Sequence, residues 1–300
     1  MIQITAIEGN SQKLDGGSMF GNTPRAVWSK WCPPDELGRI KLACRSMVVE
    51  IDDDHQKSSI KVLCETGIGC FFEPKLAERY GVQEQEHILL QNLESKLHLK
   101  HEDFDYVILS HLHFDHAGGL MPSFHDLENG KTDLLFSNAQ YLVGHNAFQR
   151  AIKPHVRDKA SFIPSLTDKL IQSGRLKIIK SDANIPQALQ KYLKFIFTDG
   201  HTPGQMHAVF GENGQRNVVF AGDLIPGVAW LHIPITMGYD RFPEQLIDEK
   251  SALYETLNAK DLIFFTHDVQ IAMACVEQDA QHKVKATSIV TDQECLRVAL

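Results

Sequence analysis

Three histidines and an aspartate lie close together in the segment Ser110-His-Leu-His-Phe-Asp-His-Ala-Gly-Gly119, directly after an apolar run. Because strand side chains alternate between faces, His111 and His113 are expected to point the same way at a strand end. Asp115 and His116 then turn over the same spot. Four polar groups so near an apolar strand cost free energy unless they bind something. The segment therefore predicts a site for a divalent metal such as zinc, iron or manganese.

The residue types indicate a catalytic site rather than a structural one. Structural zinc sites are closed by four ligands that usually include cysteine, and none of the six cysteines lies near this segment. One ion cannot easily use all four groups of such a short peptide. Two ions about 3.5–4 Å apart can, if further ligands come from elsewhere in the chain.

Three further candidate ligands each follow a predicted strand. His201 occurs in Thr-Asp-Gly-His-Thr-Pro-Gly, Asp223 in Phe-Ala-Gly-Asp-Leu, and His267 in Phe-Phe-Thr-His-Asp. Open α/β sheets collect their ligands at the carboxyl ends of strands. Four strand ends of this chain therefore present residue types that bind metals.

These candidates, in this order along the chain, resemble the ligand set of the metallo-β-lactamase superfamily. The resemblance implies an α/β fold, the four-layer αββα sandwich, with two divalent metal ions. It assigns one ion to His111, His113 and His201. It assigns the other ion to Asp115, His116 and His267, with Asp223 bridging the pair. Zinc is the expected metal, and manganese, iron and cobalt stay open because histidine and aspartate accept them all.

At subfamily level three segments are similar to the YtnP-type quorum-quenching N-acyl-homoserine lactonases. They are Leu14-Asp-Gly-Gly-Ser-Met-Phe-Gly21, Trp28-Ser-Lys and His111-Leu-His-Phe-Asp-His116. The resemblance implies a hydrolase that opens a lactone or similar small ester by attack of a metal-bridging hydroxide, with Asp115 or Asp223 relaying the proton. The alternative on the same site is a phosphotriesterase (organophosphate hydrolase) or an aryl esterase.

Two positions depart from the family pattern. Glu65-Thr-Gly67 stands where many relatives have Asp-Thr-Gly, so we expect Glu65 to brace a ligand histidine with one methylene more. Pro226 occupies the place of a tyrosine that steadies the substrate carbonyl in lactonases. We expect Tyr239 or His232 to reach in instead. The candidate apolar walls of the pocket are Met19, Phe20 and Trp230.

The remaining patterns predict one domain over residues 1–300. Strands are predicted at 2–7, 47–51, 59–64, 105–110, 139–143, 195–199, 208–210, 218–221 and 262–266, and helices at 83–99 and 242–257. Residues 14–45 are too long for a turn and predict an N-terminal excursion near the active site. Residues 145–185 are polar and basic, which favours helices or a lid over central sheet.

Composition narrows the classes of function. The chain has 300 residues, 43% of them apolar, which is enough for a large core. Its net charge of −8 argues against a nucleic-acid binder, and no apolar run approaches a membrane span. The start lacks a signal-peptide pattern and the cysteines form no CxxC pair, so we expect a cytoplasmic protein with reduced thiols. The expected partner is a small-molecule substrate, and the resemblance implies a homodimer.

Two other classes stay open at this point. Relatives with two irons use such a site for oxygen or nitric oxide chemistry, but they typically carry a flavin domain for which 300 residues leave no room. A metal-binding sensor without catalysis is the other class. The full ligand set argues against it.

Overall fold

The structure is a computed structural model, and it describes residues 1–52, 59–212, 215–279, 283–291 and 298–299. Its strands, in chain order, are β1 (Ile2–Glu8), β2 (Gln12–Asp15), β3 (Arg39–Leu42), β4 (Arg45–Ile51), β5 (Ile60–Cys64), β6 (Tyr106–Leu109), β7 (Gln140–Gly144), β8 (Leu176–Ile179), β9 (Leu193–Thr198), β10 (Gln205–Phe210), β11 (Val218–Phe220), β12 (Leu262–Phe264), β13 (Ile271–Gln278), β14 (Val284–Thr291) and β15 (Val298–Ala299).

The helices are short, apart from the last. The α-helices are α1 (Gly16–Phe20), α2 (Arg25–Trp28), α3 (Pro74–Tyr80), α4 (Ile88–Asn92), α5 (Phe114–Ala117), α6 (Phe124–Glu128), α7 (His145–Ile152), α8 (Leu166–Gln172) and α9 (Pro243–Thr256). A π-helix spans Leu93–Leu97. The 3₁₀ helices are His101–Asp103, Gly118–Leu120, Lys159–Ser161, Asp182–Asn184, Gln187–Leu189, Gly222–Leu224 and Val228–Leu231.

Two mixed sheets carry most of the strands. The seven-stranded sheet has the order β15-β1-β4-β5-β6-β7-β8, with parallel pairing from β5 to β8. The six-stranded sheet has the order β14-β13-β12-β11-β10-β9, in which β11 and β12 are parallel. A separate hairpin pairs β2 with β3 inside the N-terminal excursion.

The two sheets pack face to face, with helices on their outer faces. Ile4 and Ile108 of the larger sheet share one buried cluster with Phe220 and Phe264 of the smaller one. The opposite face of the larger sheet packs against α4, and that of the smaller sheet packs against α9. This layering is the predicted αββα sandwich, which the structure confirms.

Most predicted strands are present near their predicted positions, and each runs through an apolar, largely buried segment. The helix predicted at 83–99 begins later, at Ile88, and ends as the π-helix. Residues 145–185 hold α7 and α8 as expected, but also β8, which pairs with β7. Three of the four β8 residues are only half-buried because β8 is the edge of its sheet, which removes the apolar signal of a central strand.

No helix of the described residues is long and apolar enough to cross a membrane. Cys32, Cys44, Cys64, Cys70 and Cys275 are free thiols. Cys295, the sixth cysteine, lies outside the described residues.

Candidate metal centre

The histidine-rich segment turns at the end of β6. His113 caps α5, a single helical turn that carries Asp115 and His116. Two glycines then let the chain pass against the next loop: a Cβ on Gly118 would lie 2.2 Å from the Ile68 carbonyl oxygen, and one on Gly119 2.0 Å from that of Thr66. Any larger residue at either position would push the turn away, so the glycines hold the ligand candidates over the strand end.

The other sheet supplies the remaining candidates. His201 follows β9, Asp223 lies in the 3₁₀ turn after β11, and His267 follows β12. Because β11 and β12 are parallel neighbours, their carboxyl ends meet at one edge of the sheet. All seven predicted ligand residues are buried there.

The structure gathers these side chains into two groups. In the first, Nδ1 of His113 lies 3.0 Å from Nε2 of His111 and 3.3 Å from Nε2 of His201. In the second, Nε2 of His116 lies 3.7 Å from Asp115 Oδ1, and Nε2 of His267 lies 3.8 Å from Asp115 Oδ2. Each group is compact enough to hold one metal ion.

Asp223 lies between the two groups and turns one oxygen toward each. Its Oδ2 is 3.2 Å from Nε2 of His201 in the first group. Its Oδ1 is 3.3 Å from Nε2 of His116 and 3.2 Å from Nε2 of His267 in the second. The Asp223 carboxylate is therefore placed to contact ions in both groups at once.

The outer nitrogens of four histidines contact acceptors, and this fixes where the ring protons lie. Nδ1 of His116 donates to Glu65 Oε2 at 2.7 Å, and that of His201 donates to Asp240 Oδ1 at 2.9 Å. Nδ1 of His267 donates to the Ala43 carbonyl at 2.6 Å.

His111 follows the same pattern through a hydroxyl. The Ser110 hydroxyl donates its own proton to Glu65 Oε1, so at 2.8 Å it accepts one from Nδ1 of His111. Every proton held on an outer nitrogen leaves a lone pair on the inner nitrogen of the same ring. His113 is the exception, since its Nε2 has no hydrogen-bond partner among the described residues and its ring packs on Phe162.

When the rings are neutral, four inward lone pairs and two buried carboxylates repel one another unless a cation, either a proton or a metal ion, lies among them. Imidazole nitrogen and carboxylate oxygen are ligands that zinc and similar divalent ions prefer. The residues present therefore fit divalent metal ions.

The electrostatics of the bare site follow from this crowding. Burial, and then the neighbouring histidines, hold the pKa of His111 and His113 well below the usual value. Burial also opposes protonation of His116, but Glu65 and Asp223 outweigh it and raise its pKa. Conversely, His116, His201 and His267 overcome the effect of burial on Asp223 and lower the pKa of this carboxyl, which stays ionised.

Several supporting residues were not predicted. Asp240 and the Ala43 carbonyl orient histidines, Ser110 orients His111, and Gln12 donates from Nε2 to Asp115 Oδ2 at 2.8 Å. Ser110 directly precedes His111, so its contact with this histidine could have been predicted from the sequence. The other three contact the centre from distant parts of the chain. Glu65, which was expected to brace a ligand histidine, accepts the hydrogen bond of His116 Nδ1.

A cavity of about 230 Å³ opens above the two groups. Met19 and Tyr239 line it, as do Leu14 and Met237. Burial raises the pKa of Tyr239, so its hydroxyl stays protonated at neutral pH.

Phe20, Trp230 and His232 do not reach this cavity, contrary to prediction. Phe20 is stacked between Trp28 and Trp230, with ring centroids 5.6 and 4.6 Å away. His232 packs on Trp31 and lines a different cavity of about 580 Å³, which Trp230 also lines. These aromatic residues pack on one another.

Comparisons with known proteins agree with this fold and site. Residues 61–123 match the model of the metallo-beta-lactamase superfamily. A probable metal-dependent hydrolase from Staphylococcus aureus superimposes with a TM-score of 0.82, at 24% identity and 98% coverage of both chains. These similarities support the metallo-β-lactamase fold that the resemblance predicted.

Two further proteins are similar to this chain. The N-acyl homoserine lactonase AiiA of Bacillus thuringiensis subsp. kurstaki is 27% identical over 214 residues, which are 69% of this chain and 71% of the relative. AidC, a dizinc quorum-quenching lactonase solved with a product, N-hexanoyl-L-homoserine, has a TM-score of 0.70 at 17% identity, over 95% of this chain and 94% of AidC.

Proposed function

We propose that this protein is a metal-dependent hydrolase that opens the ring of N-acyl-homoserine lactones. The observation that carries the proposal is the pair of ligand groups joined by Asp223 beneath a cavity that an apolar groove adjoins. The AiiA relative supports the reaction, since its name is that of an N-acyl homoserine lactonase.

Two ions, preferably zinc, would be held by the two groups. The first group is His111, His113 and His201, and the second is Asp115, His116 and His267. Asp223 contacts both groups. When bound, such ions polarise a carbonyl oxygen and lower the pKa of a shared water toward about 7. The residues of the chain would hold the ions, orient the substrate and exclude bulk water.

The proton of the attacking water needs an acceptor within the cavity. Asp115 and Asp223 both line it, and Gln12 holds Oδ2 of Asp115. Either carboxylate takes the proton as the water oxygen bonds to the lactone carbon. The same proton then passes to the ring oxygen as its bond to that carbon breaks, which gives a carboxylic acid and a tethered alcohol, and the acid then loses its remaining proton to solvent. The Tyr239 hydroxyl, on the cavity wall, steadies the carbonyl oxygen in the place of the tyrosine that Pro226 replaces.

An apolar groove of about 570 Å³ adjoins the cavity and would bind the acyl chain of the substrate. Tyr80, Phe114 and Ala160 line both spaces, so the two lie side by side. The rest of the groove is mostly apolar, with Phe72 and Phe162 among its walls. Burial of an alkyl chain there contributes roughly 0.8 kcal/mol per methylene. A lactone with an extended acyl tail fits this shape better than a compact ester.

The second candidate is a phosphotriesterase or an aryl esterase. The aromatic side chains of the groove favour it, because the rings of Phe71 and Phe72 lie 4.1 Å apart and Phe114 packs on Tyr80 at 4.5 Å. An aryl leaving group can stack on such rings.

A paired turnover assay separates the two candidates. Protein of measured metal content is given acyl-homoserine lactones, paraoxon-type phosphotriesters and simple aryl esters, with and without chelator. We expect lactones to exceed the others by about 100-fold in kcat/KM, a difference near 2.7 kcal/mol in transition-state stabilisation. A higher kcat/KM for phosphotriesters or aryl esters would overturn the lactonase proposal and leave the metal hydrolase.

We also propose one domain over residues 1–300, working as a cytoplasmic homodimer. The excursion at 14–45 supports this assembly, since Trp31 and Leu37 are 40% and 73% exposed there. The free thiols of the described cysteines suit the cytoplasm. Light scattering tests the dimer, and a monomer at micromolar concentration would contradict it.

A further inference from the structure

Two arginines stand where the metal cavity meets the apolar groove. Arg79 lies in the last turn of α3, directly before Tyr80, whose ring lines both spaces. Arg157 comes from the loop before the 3₁₀ helix Lys159–Ser161 and lies next to Val156, a wall of the groove. Both arginines line the metal cavity. An acyl chain that runs from the metal centre into the groove must pass them.

Neither guanidinium is engaged by an acid. Within the described part of the chain, the Arg79 guanidinium makes no hydrogen bond or ion pair, and that of Arg157 donates only to the Gly238 carbonyl, at 2.6 Å. Other arginines of the chain are paired: Arg39 lies 3.0 Å from Asp35, and Arg150 2.7 Å from Asp158. In a chain with net charge −8, two solvent-exposed arginines without an acidic partner line one cavity and offer several N–H donors there.

The chemistry of these donors defines what they can bind. Guanidinium has donors only, so its complement is a group with acceptors only, such as a carbonyl oxygen. In an N-acyl lactone the amide carbonyl lies between the ring and the alkyl tail. A β-keto acyl chain has a second carbonyl two carbons further on. These oxygens fall at the junction of cavity and groove when the ring lies over the metal ligands and the tail lies in the groove.

We propose that Arg79 and Arg157 are specificity residues that select lactones whose acyl chain carries an oxo group on its third carbon. The inference rests on the proposed lactonase function and names the substrate class of that site. The contact is present before and during ring opening, so it lowers KM and leaves kcat nearly unchanged.

The test compares N-(3-oxooctanoyl)- and N-octanoyl-homoserine lactone. Both are neutral and equally long, so general attraction by positive charge acts on them alike. We expect the wild-type protein to prefer the oxo compound by about tenfold in kcat/KM, the gain of one or two charge-assisted hydrogen bonds at a solvated site. Arg79→Ala and Arg157→Ala should each reduce this ratio about threefold through KM, and the double variant should remove it.

Lys75→Ala is the matched control, because Lys75 is an exposed cation of α3 that lines neither the cavity nor the groove. In this variant the ratio of kcat/KM for the oxo lactone to kcat/KM for the octanoyl lactone should equal that of the wild-type protein. Loss of the bond from Arg157 to Gly238 would slow both substrates alike and leave the ratio unchanged. The inference is overturned if the ratio in the arginine variants equals the wild-type ratio while both lactones are hydrolysed. Failure to hydrolyse either lactone by the metal-loaded protein would instead contradict the proposed function.

Discussion

Asp240 connects the candidate metal centre to the wall of the substrate cavity. Its Oδ1 accepts the hydrogen bond of His201 Nδ1 at 2.9 Å, and its Oδ2 accepts that of the Met237 backbone N–H at 2.6 Å. Met237 itself lines the cavity. One buried carboxylate thus orients a ligand histidine and positions a residue that faces the substrate.

We expect Asp240→Asn to lower the affinity for metal by 10- to 100-fold, the usual effect of losing an outer partner of a ligand histidine. The amide removes the negative charge that holds the proton on His201 Nδ1. Competition with a chelator measures the change. Asp248→Asn, an exposed aspartate of α9, is the control and should bind metal as the wild-type protein does. Equal affinity in the Asp240 variant would show that His201 does not need this partner.

Asp223→Ala should abolish turnover and leave the fold intact. Asp223 has an oxygen toward each ligand group, so its loss separates the two groups and removes a proton acceptor. The expected fall in kcat is about 10³-fold or more, which corresponds to the several kcal/mol that metal catalysis supplies. Circular dichroism should be unchanged. Near-normal activity with full metal content in this variant would contradict the role of Asp223 as the residue that joins the two ligand groups.

Blocking the groove should separate long substrates from short ones. Ala160 lines both the groove and the cavity, so a tryptophan there takes up space where the two adjoin. We expect Ala160→Trp to reduce kcat/KM about tenfold for decanoyl-homoserine lactone, since a few methylenes then lose their apolar contacts. Butanoyl-homoserine lactone, with little tail to bury, should change less than about twofold. An equal loss for both lengths would mean that the acyl chain lies elsewhere.

Lys250 should make stability depend on pH. The Lys250 ammonium is buried and donates to the carbonyls of Trp230, His232 and Ile235 at 2.6–3.1 Å. Burial lowers its pKa to about 7. The unfolded chain keeps this proton up to about pH 10.4, so between about pH 7 and 10 the unfolded state binds more protons and stability rises with pH.

The Lys250→Met variant lacks that titration. We expect the stability of the wild-type protein, relative to the variant, to increase from pH 7 to 9 by at most about 1.4 kcal/mol per pH unit. Urea unfolding at several pH values measures the difference. Lys75→Met, a change at an exposed lysine, is the matched control. A constant difference for Lys250→Met would place the pKa of Lys250 outside this range.

The fold and the candidate ligands could be predicted because both follow from short local sequence patterns. Each candidate ligand directly follows a strand or lies in the turn after β6, so the rule that ligands collect at the carboxyl ends of strands identifies them. Their outer partners follow no such rule: Asp240 is 39 residues from His201, and Gln12 is 103 from Asp115. Contacts of that length depend on packing between the excursion and the sheets, which no short pattern encodes.

The pocket walls were predicted less well because apolar residue type does not reveal which neighbours a side chain has. Met19 and Phe20 adjoin in sequence, yet Met19 lines the cavity and Phe20 packs between Trp28 and Trp230. In a single-turn helix such as α1, successive side chains diverge widely, so one position changes the assignment. Tyr239 reached the cavity because its loop is held by Asp240 and by a bond from the Gly238 amide to the Ser18 carbonyl.

The most direct test measures bound metal and lactone turnover on the same samples. Metal is removed stepwise with chelator and then restored as Zn²⁺, with metal per chain determined by mass spectrometry. We predict that acyl-homoserine lactone hydrolysis disappears with the metal and returns fully only near two ions per chain, one for each ligand group. Full activity in protein that holds one ion or none would contradict a dinuclear centre built on Asp223.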